Sequence, residues 1–194
     1  MPNRYLEAHI MGMPASKPVI TIDEFLALPE DGVRQELLAG SHIVMPAPRP
    51  DHQRVVFAIA RLLEDAISGR EDVEVFGATG DIVLGPDTVV EPDVFLLRSR
   101  PGHRFASWRD APVPLLAVEV LSPSTAARDR GIKRRLYLEA GVEEYWIVDV
   151  DARVVEHWRA GDERPEIVDN ELAWKLSVGV SGTIDLPALF ERIL

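Results

Sequence analysis

The chain has 194 residues, 46% of them hydrophobic, which is enough for one domain with a full apolar core and no need of cross-links. It contains no cysteine, which excludes disulfides, thiolate zinc sites and cysteine nucleophiles. The net charge of −11 argues against broad, sequence-blind nucleic-acid binding, because phosphate contacts need basic groups. No apolar run approaches the length of a membrane span, so no membrane association is expected and a cytoplasmic location is.

Residues 1–19 are expected to form a flexible leader, with Met11 and Met13 as further candidate starts, and residues 20–194 a single domain. The leader carries Arg4, Glu7 and Lys17 and lacks the continuous apolar stretch of a signal peptide. Thr21 followed by Glu24 predicts a capped short helix with Phe25, Leu26 and Leu28 on its apolar side. Arg34–Leu38 and His42–Met45 predict a β-hairpin turning at Gly40. Asp51 is expected to cap a helix running to about Ser68, whose apolar residues Val55, Val56, Ile59, Leu63 and Ile67 follow the helical period. Strands are predicted at Val73–Ala78, Asp81–Leu84 and Val89–Leu97, the last carrying Pro92 at a bulge or an edge.

A basic loop follows over 98–113. Leu115–Leu121 is almost wholly apolar and predicts a central strand buried on both faces. From Ser122 a helix is expected to reach Ala140, with Gly141 just past its end. Glu144–Asp149 and Val154–Trp158 predict two paired strands, and the remainder more β-structure and a short terminal helix. The order gives an α/β fold, a mixed sheet flanked by helices.

Glu119 is the anomaly in this pattern, a carboxylate inside a core strand, where charge is costly unless paired or metal-bound. Asp93, after Pro92, is expected on a neighbouring strand. Two carboxylates about 4 Å apart repel by roughly 4 kcal/mol at an effective dielectric near 20, and a divalent cation relieves that. Mg²⁺ (or Mn²⁺) suits carboxylates combined with substrate phosphate. Lys133 shares a helix face with Leu136, Tyr137 and Ala140, so it can turn toward the sheet and stabilise charge on a phosphodiester. Each residue also has a plainer role: a salt bridge from Glu119 to a buried arginine, a turn at Asp93, and an ordinary helical pair between Asp129 and Lys133. His52 reads first as a helix-start residue, with a role in the site as the alternative. Trp146, Trp158 and Trp174 read as core or interface, and the strands near Trp146 and Trp158 motivate a homodimer. Arg100, Arg104, Arg130 and Arg134 flank the acids in sequence and are the candidate phosphate contacts.

These residues together resemble a known family. Ala117-Val118-Glu119-Val120-Leu121-Ser122-Pro123-Ser124-Thr125, then Arg128 to Lys133, Tyr137, and Glu144 to Asp149 are similar to the Uma-two (Uma2) family. So are Phe25 to Gly32 with Glu36 and Leu37, and Val90-Glu91-Pro92-Asp93-Val94. The resemblance covers about residues 20 to 160. It implies a restriction-endonuclease-like fold of the PD-(D/E)XK superfamily and metal-dependent hydrolysis of nucleic acid, with DNA the expected substrate. Carried over by position, Asp93 and Glu119 are its two acids, Glu36 a further metal-binding acid, and Lys133 the catalytic lysine. The superfamily's usual lysine two residues after the second acid is replaced here by Leu121. Gln35 and Ala39 also depart from the family pattern. A second reading is a non-catalytic module of the same fold that binds nucleic acid or a protein partner.

Overall fold

The computed structural model describes residues 20–29, 32–77, 80–100, 102 and 105–193. The leader expectation therefore lies outside the described residues. Helix α1 is Ile22–Leu26, opened by the capping box read from Thr21 and Glu24. Strands β1 (Gln35–Leu38) and β2 (Ser41–Val44) pair through Ala39 and Gly40, at φ of 47° and 74°. Positive φ at both central residues is what a two-residue hairpin turn with the right twist requires.

Helix α2 is Pro50–Ala66. Asp51 is not its cap: Arg49 stands at that position and Pro50 opens the helix. Proline suits the first helical position, where its missing N–H has no partner to lose and its φ is already helical. Asp51 sits in the first turn, where a negative charge still favours the helix dipole.

Then come β3 (Val73–Gly77), β4 (Ile82–Gly85), β5 (Thr88–Val90) and β6 (Val94–Arg98). The single strand expected at Val89–Leu97 is two. Pro92 has no N–H for a ladder, and the chain leaves one sheet at Val90 and enters another at Val94. Sheet one has the order β2-β1-β5-β4.

Strand β7 is Leu116–Val120, buried along its whole length as its apolar pattern requires. The following helix is not uniform. It runs as α3 (Ala126–Arg128), a π turn over Asp129–Lys133, and α4 (Arg134–Ala140). In the π turn the Arg134 N–H reaches back five residues to the Asp129 carbonyl. Gly141 ends α4 at φ 94°, in the left-handed region where glycine has no penalty. Strands β8 (Glu144–Asp149), β9 (Val154–Arg159) and β10 (Glu166–Val168) complete a six-stranded sheet of order β10-β9-β8-β7-β6-β3. It is mixed: β7 and β8 run parallel, and the other pairs antiparallel. A hairpin of β11 (Glu171–Lys175) and β12 (Ser181–Asp185) leads into α5 (Leu186–Glu191).

The side-chain alternation of the six-stranded sheet sorts the core into two layers. Leu116, Val118, Val120, Trp146 and Val148 face α2, the β11–β12 hairpin and α5. Phe95, Leu97, Ala117, Tyr145 and Ile147 face sheet one and Tyr137 of α4. Glu119 falls on this second face by parity with Ala117. The fold is α/β, a mixed sheet flanked by helices.

Candidate functional site

The pairing of β6 with β7 sets Val94 beside Val118 and Phe95 beside Ala117. Asp93 lies just before β6 and is tied to β7 on either side of Glu119. The Asp93 N–H donates to the Val118 carbonyl at 3.1 Å, and the Val120 N–H donates to Asp93 Oδ2 at 2.9 Å. Asp93 is 3% exposed and Glu119 4%.

Lys133 Nζ lies 2.5 Å from Glu119 Oε1, 2.8 Å from Glu36 Oε1 and 3.9 Å from Asp129 Oδ1. The partner of Glu119 is thus this lysine and not a buried arginine. The π turn places Asp129 and Lys133 both inside, at 2% and 1% exposure. Burial alone would lower the Lys133 ammonium. Glu119, Glu36 and Asp129 outweigh it and hold the group above its ordinary value. Burial also raises Glu119 well above the usual carboxylate range. Lys133 opposes that shift, and Asp93, Asp129 and Glu36 add to it. The Tyr137 hydroxyl donates to the same Glu119 oxygen at 2.8 Å, and the Tyr145 hydroxyl to the Asp129 carbonyl at 3.1 Å.

Three further residues complete the cluster: Arg34 and Glu91, which local sequence patterns did not single out, and His52, for which a site role was the second reading. Arg34 donates from Nε to Glu91 Oε2 at 2.9 Å, from Nη2 to the Glu91 carbonyl at 3.0 Å, and from Nη1 to Asp93 Oδ1 at 3.3 Å. Glu91 is that arginine's anchor. His52, more than a helix-start residue, sets Nε2 3.1 Å from Asp93 Oδ2. Burial pushes the Asp93 carboxyl up, but His52, Arg34 and the Val120 N–H together bring it below its ordinary value.

A cavity of about 380 Å³ opens beside this cluster. Arg34, His52, Asp93 and Glu119 line it, with Ser122, Ser124 and Thr125 from the loop after β7. Lys133 and Glu36 do not line it. Glu36 Oε1 is taken up by Lys133 and the Glu91 N–H, and its Oε2 is buried without a hydrogen-bond partner. Five carboxylates (Glu36, Glu91, Asp93, Glu119, Asp129) surround two permanent cations (Arg34, Lys133), leaving an excess of negative charge.

That donor set fits a hard divalent cation: carboxylate oxygens, unbalanced negative charge, and an adjoining cavity for water and phosphate. Among the described residues no three His, Asp or Glu side chains are already spaced to grip one ion. The fit is therefore to a pair of carboxylates, Asp93 and Glu119, which is how Mg²⁺ is commonly held, with waters and substrate phosphate in its other positions.

The candidate phosphate contacts fare unevenly. Arg130 lines the cavity, but Asp149 at 3.0 Å and Glu156 at 2.5 Å offset its charge. Arg134 lies over the Trp158 ring at 4.5 Å. Arg100 is exposed and away from the cavity lining. Arg104 lies outside the described residues. Trp146, Trp158 and Trp174 are all buried, which removes the aromatic surface that motivated a dimer.

The chain matches a family model, "Uma2: Putative restriction endonuclease", over residues 22–187. It is 27% identical over 157 residues to an uncharacterized protein of Synechocystis sp., sll1609, covering 79% of this chain and 88% of that one. Its fold is similar to the crystal structure of an Anabaena variabilis protein described as "a putative nuclease belonging to DUF820". That match has a TM-score of 0.75 at 21% identity, and covers 90% of this chain and 99% of that one.

Proposed function

Because the chain belongs to the Uma2 family, described as "Putative restriction endonuclease", we propose that it is a Mg²⁺- or Mn²⁺-dependent nuclease that hydrolyses phosphodiester bonds in DNA. The observation that supports this reading is that Asp93 and Glu119 line one cavity, with Lys133 on Glu119. When bound, the cation would supply Lewis-acid polarisation of the scissile phosphate. Asp93 and Glu119 would hold it. Lys133 and Tyr137 fix Glu119 through its Oε1, and Glu36 and Asp129 in turn fix the lysine. Rigid donors of this kind lower the reorganisation needed as charge develops on a phosphate. In this arrangement Lys133 acts from behind Glu119, as a fixed positive field, and Glu36 serves the lysine before it serves the cation.

The test is cleavage of a panel of duplex DNA, single-stranded DNA and RNA with Mg²⁺ or Mn²⁺. Wild type is expected to cut at least one of them, and Asp93→Asn and Glu119→Gln to abolish cutting while remaining folded. Metal-independent cutting, or cutting that survives both substitutions, would refute the proposal. Binding without cleavage would select the non-catalytic module, the reading that the net charge of −11 favours.

A further inference from the structure

Asp93 faces the cavity with both of its oxygens already engaged. Oδ2 accepts the Val120 N–H and lies against His52 Nε2. Oδ1 is held by Arg34 Nη1 at 3.3 Å. A carboxylate oxygen has about two lone-pair positions, so a cation approaching Asp93 must come to Oδ1. There it meets the guanidinium, a like charge in direct contact with the same oxygen.

Arg34 is built to be re-aimed at this end and no other. Glu91 holds it at two points, side chain to Nε and carbonyl to Nη2, at 2.9 and 3.0 Å. The bond to Asp93 is the longest of the three, and Asp93, unlike Glu91, lines the same cavity as Arg34. Guanidinium is always charged and presents a fork suited to phosphate as well as carboxylate.

From this geometry we infer that Arg34 is an exchange residue. It neutralises Asp93 while the cation is away and passes to a phosphate oxygen of the substrate when the cation takes Oδ1. Cation and phosphodiester then bind cooperatively, since each makes room for the other, and the coupling must be equal in both directions. The inference rests on the nuclease reading and adds to it the residue that links the two ligands.

The experiment is titration of Mn²⁺ into wild type and Arg34→Gln by calorimetry, with and without a phosphorothioate-linked DNA oligonucleotide that resists hydrolysis. In wild type the oligonucleotide should tighten Mn²⁺ binding by about tenfold, inside the usual range for coupled sites. Arg34→Gln should bind Mn²⁺ alone about tenfold more tightly than wild type does, and the oligonucleotide should then change its affinity less than about twofold. If Arg34→Gln does not fold, Arg34→Lys replaces it. A lysine cannot hold Glu91 at two points and still reach Asp93, so Mn²⁺ binding should again tighten and the coupling fall. Mn²⁺ affinity that is unchanged or weaker in the variant overturns the inference. It leaves the nuclease reading standing if wild type binds Mn²⁺ with the oligonucleotide. Failure of both proteins to bind Mn²⁺ even with the oligonucleotide overturns the inference and the metal-dependent reading together.

Discussion

Replacing Lys133 by methionine tests whether the buried cluster is organised around this one ammonium. The side chain is 1% exposed and has three carboxylates within 4.0 Å, so its loss leaves Glu36, Glu119 and Asp129 facing one another without a cation. Removing one partner of a buried ion pair costs about 3–5 kcal/mol, because the other charge is stranded. Against a total stability of roughly 5–15 kcal/mol this is a large share, and for a chain of this size it lowers Tm by about 6–20 °C. The loss should depend on pH, and the sign follows from the acids. Glu119 and Asp129 already sit above their ordinary values of 4.5 and 3.8 despite the pull of Lys133, and without it they rise further. A carboxyl with a raised folded-state pKa binds more protons folded than unfolded in the interval between the two values. Stability of the variant therefore recovers as pH falls from above the raised values toward about 4.5. Urea unfolding of both proteins in the presence of a chelator, at about pH 8 and about pH 5, measures this. A deficit below about 1 kcal/mol, or one that is equal or larger at the acid pH, would refute the placement of Lys133 as the common counter-ion.

Glu144→Ala should cost about 2–4 kcal/mol in chemical denaturation, because Trp146 Nε1, His157 Nε2 and the Lys175 N–H all lose their acceptor. Hydrogen exchange at Lys175 should accelerate in the same variant, since that bond ties β11 to β8. Gly141→Ala should cost about 1–2 kcal/mol in the same assay; no atom lies within 4 Å of an added Cβ, so the φ of 94° is the sole source of strain. Arg130→Ala should change stability by less than about 1 kcal/mol, as its two ion pairs are partly exposed. If Arg130 meets a phosphate, the same substitution should flatten the log-affinity versus log-salt slope for duplex DNA by about 0.9.

What was legible in the sequence was what short windows determine. The run Leu115–Leu121 is apolar enough to name a doubly buried strand, and Glu119 stood out because that strand has no reason to carry a charge. The capping box at Thr21 and the glycine after Ala140 are equally local, and both hold. The break at Pro92 was less legible. Both halves of Val89–Leu97 are buried and apolar, so they read as one strand, and only long-range pairing sends them to different sheets. Arg34 looks like any polar residue before a hairpin; its partners Glu91 and Asp93 lie far along the chain. Arg130 and Arg134 seemed unopposed within their own helix, whereas Asp149, Glu156 and Trp158 meet them from β8 and β9. The π turn has no periodic signature, because it exists to bury Asp129 and Lys133 at once, which is a demand of the tertiary site.

The sources of the four central charges also bear on how the chain assembles. Glu36 comes from β1, Asp93 from the head of β6, Glu119 from β7 and Lys133 from the π turn, so the partners of Lys133 other than Asp129 are remote in sequence. Glu36 and Glu119 both precede in the chain the lysine that pairs with them, whereas Asp93 is met by Arg34 and His52, which come before it. Until the 126–140 helix emerges and docks, closing the gap between the two sheets would bury uncompensated charge. In the folded chain, closing the two sheets over Glu36 and Glu119 thus leaves no stranded charge only with the 126–140 segment docked, because that segment carries Lys133.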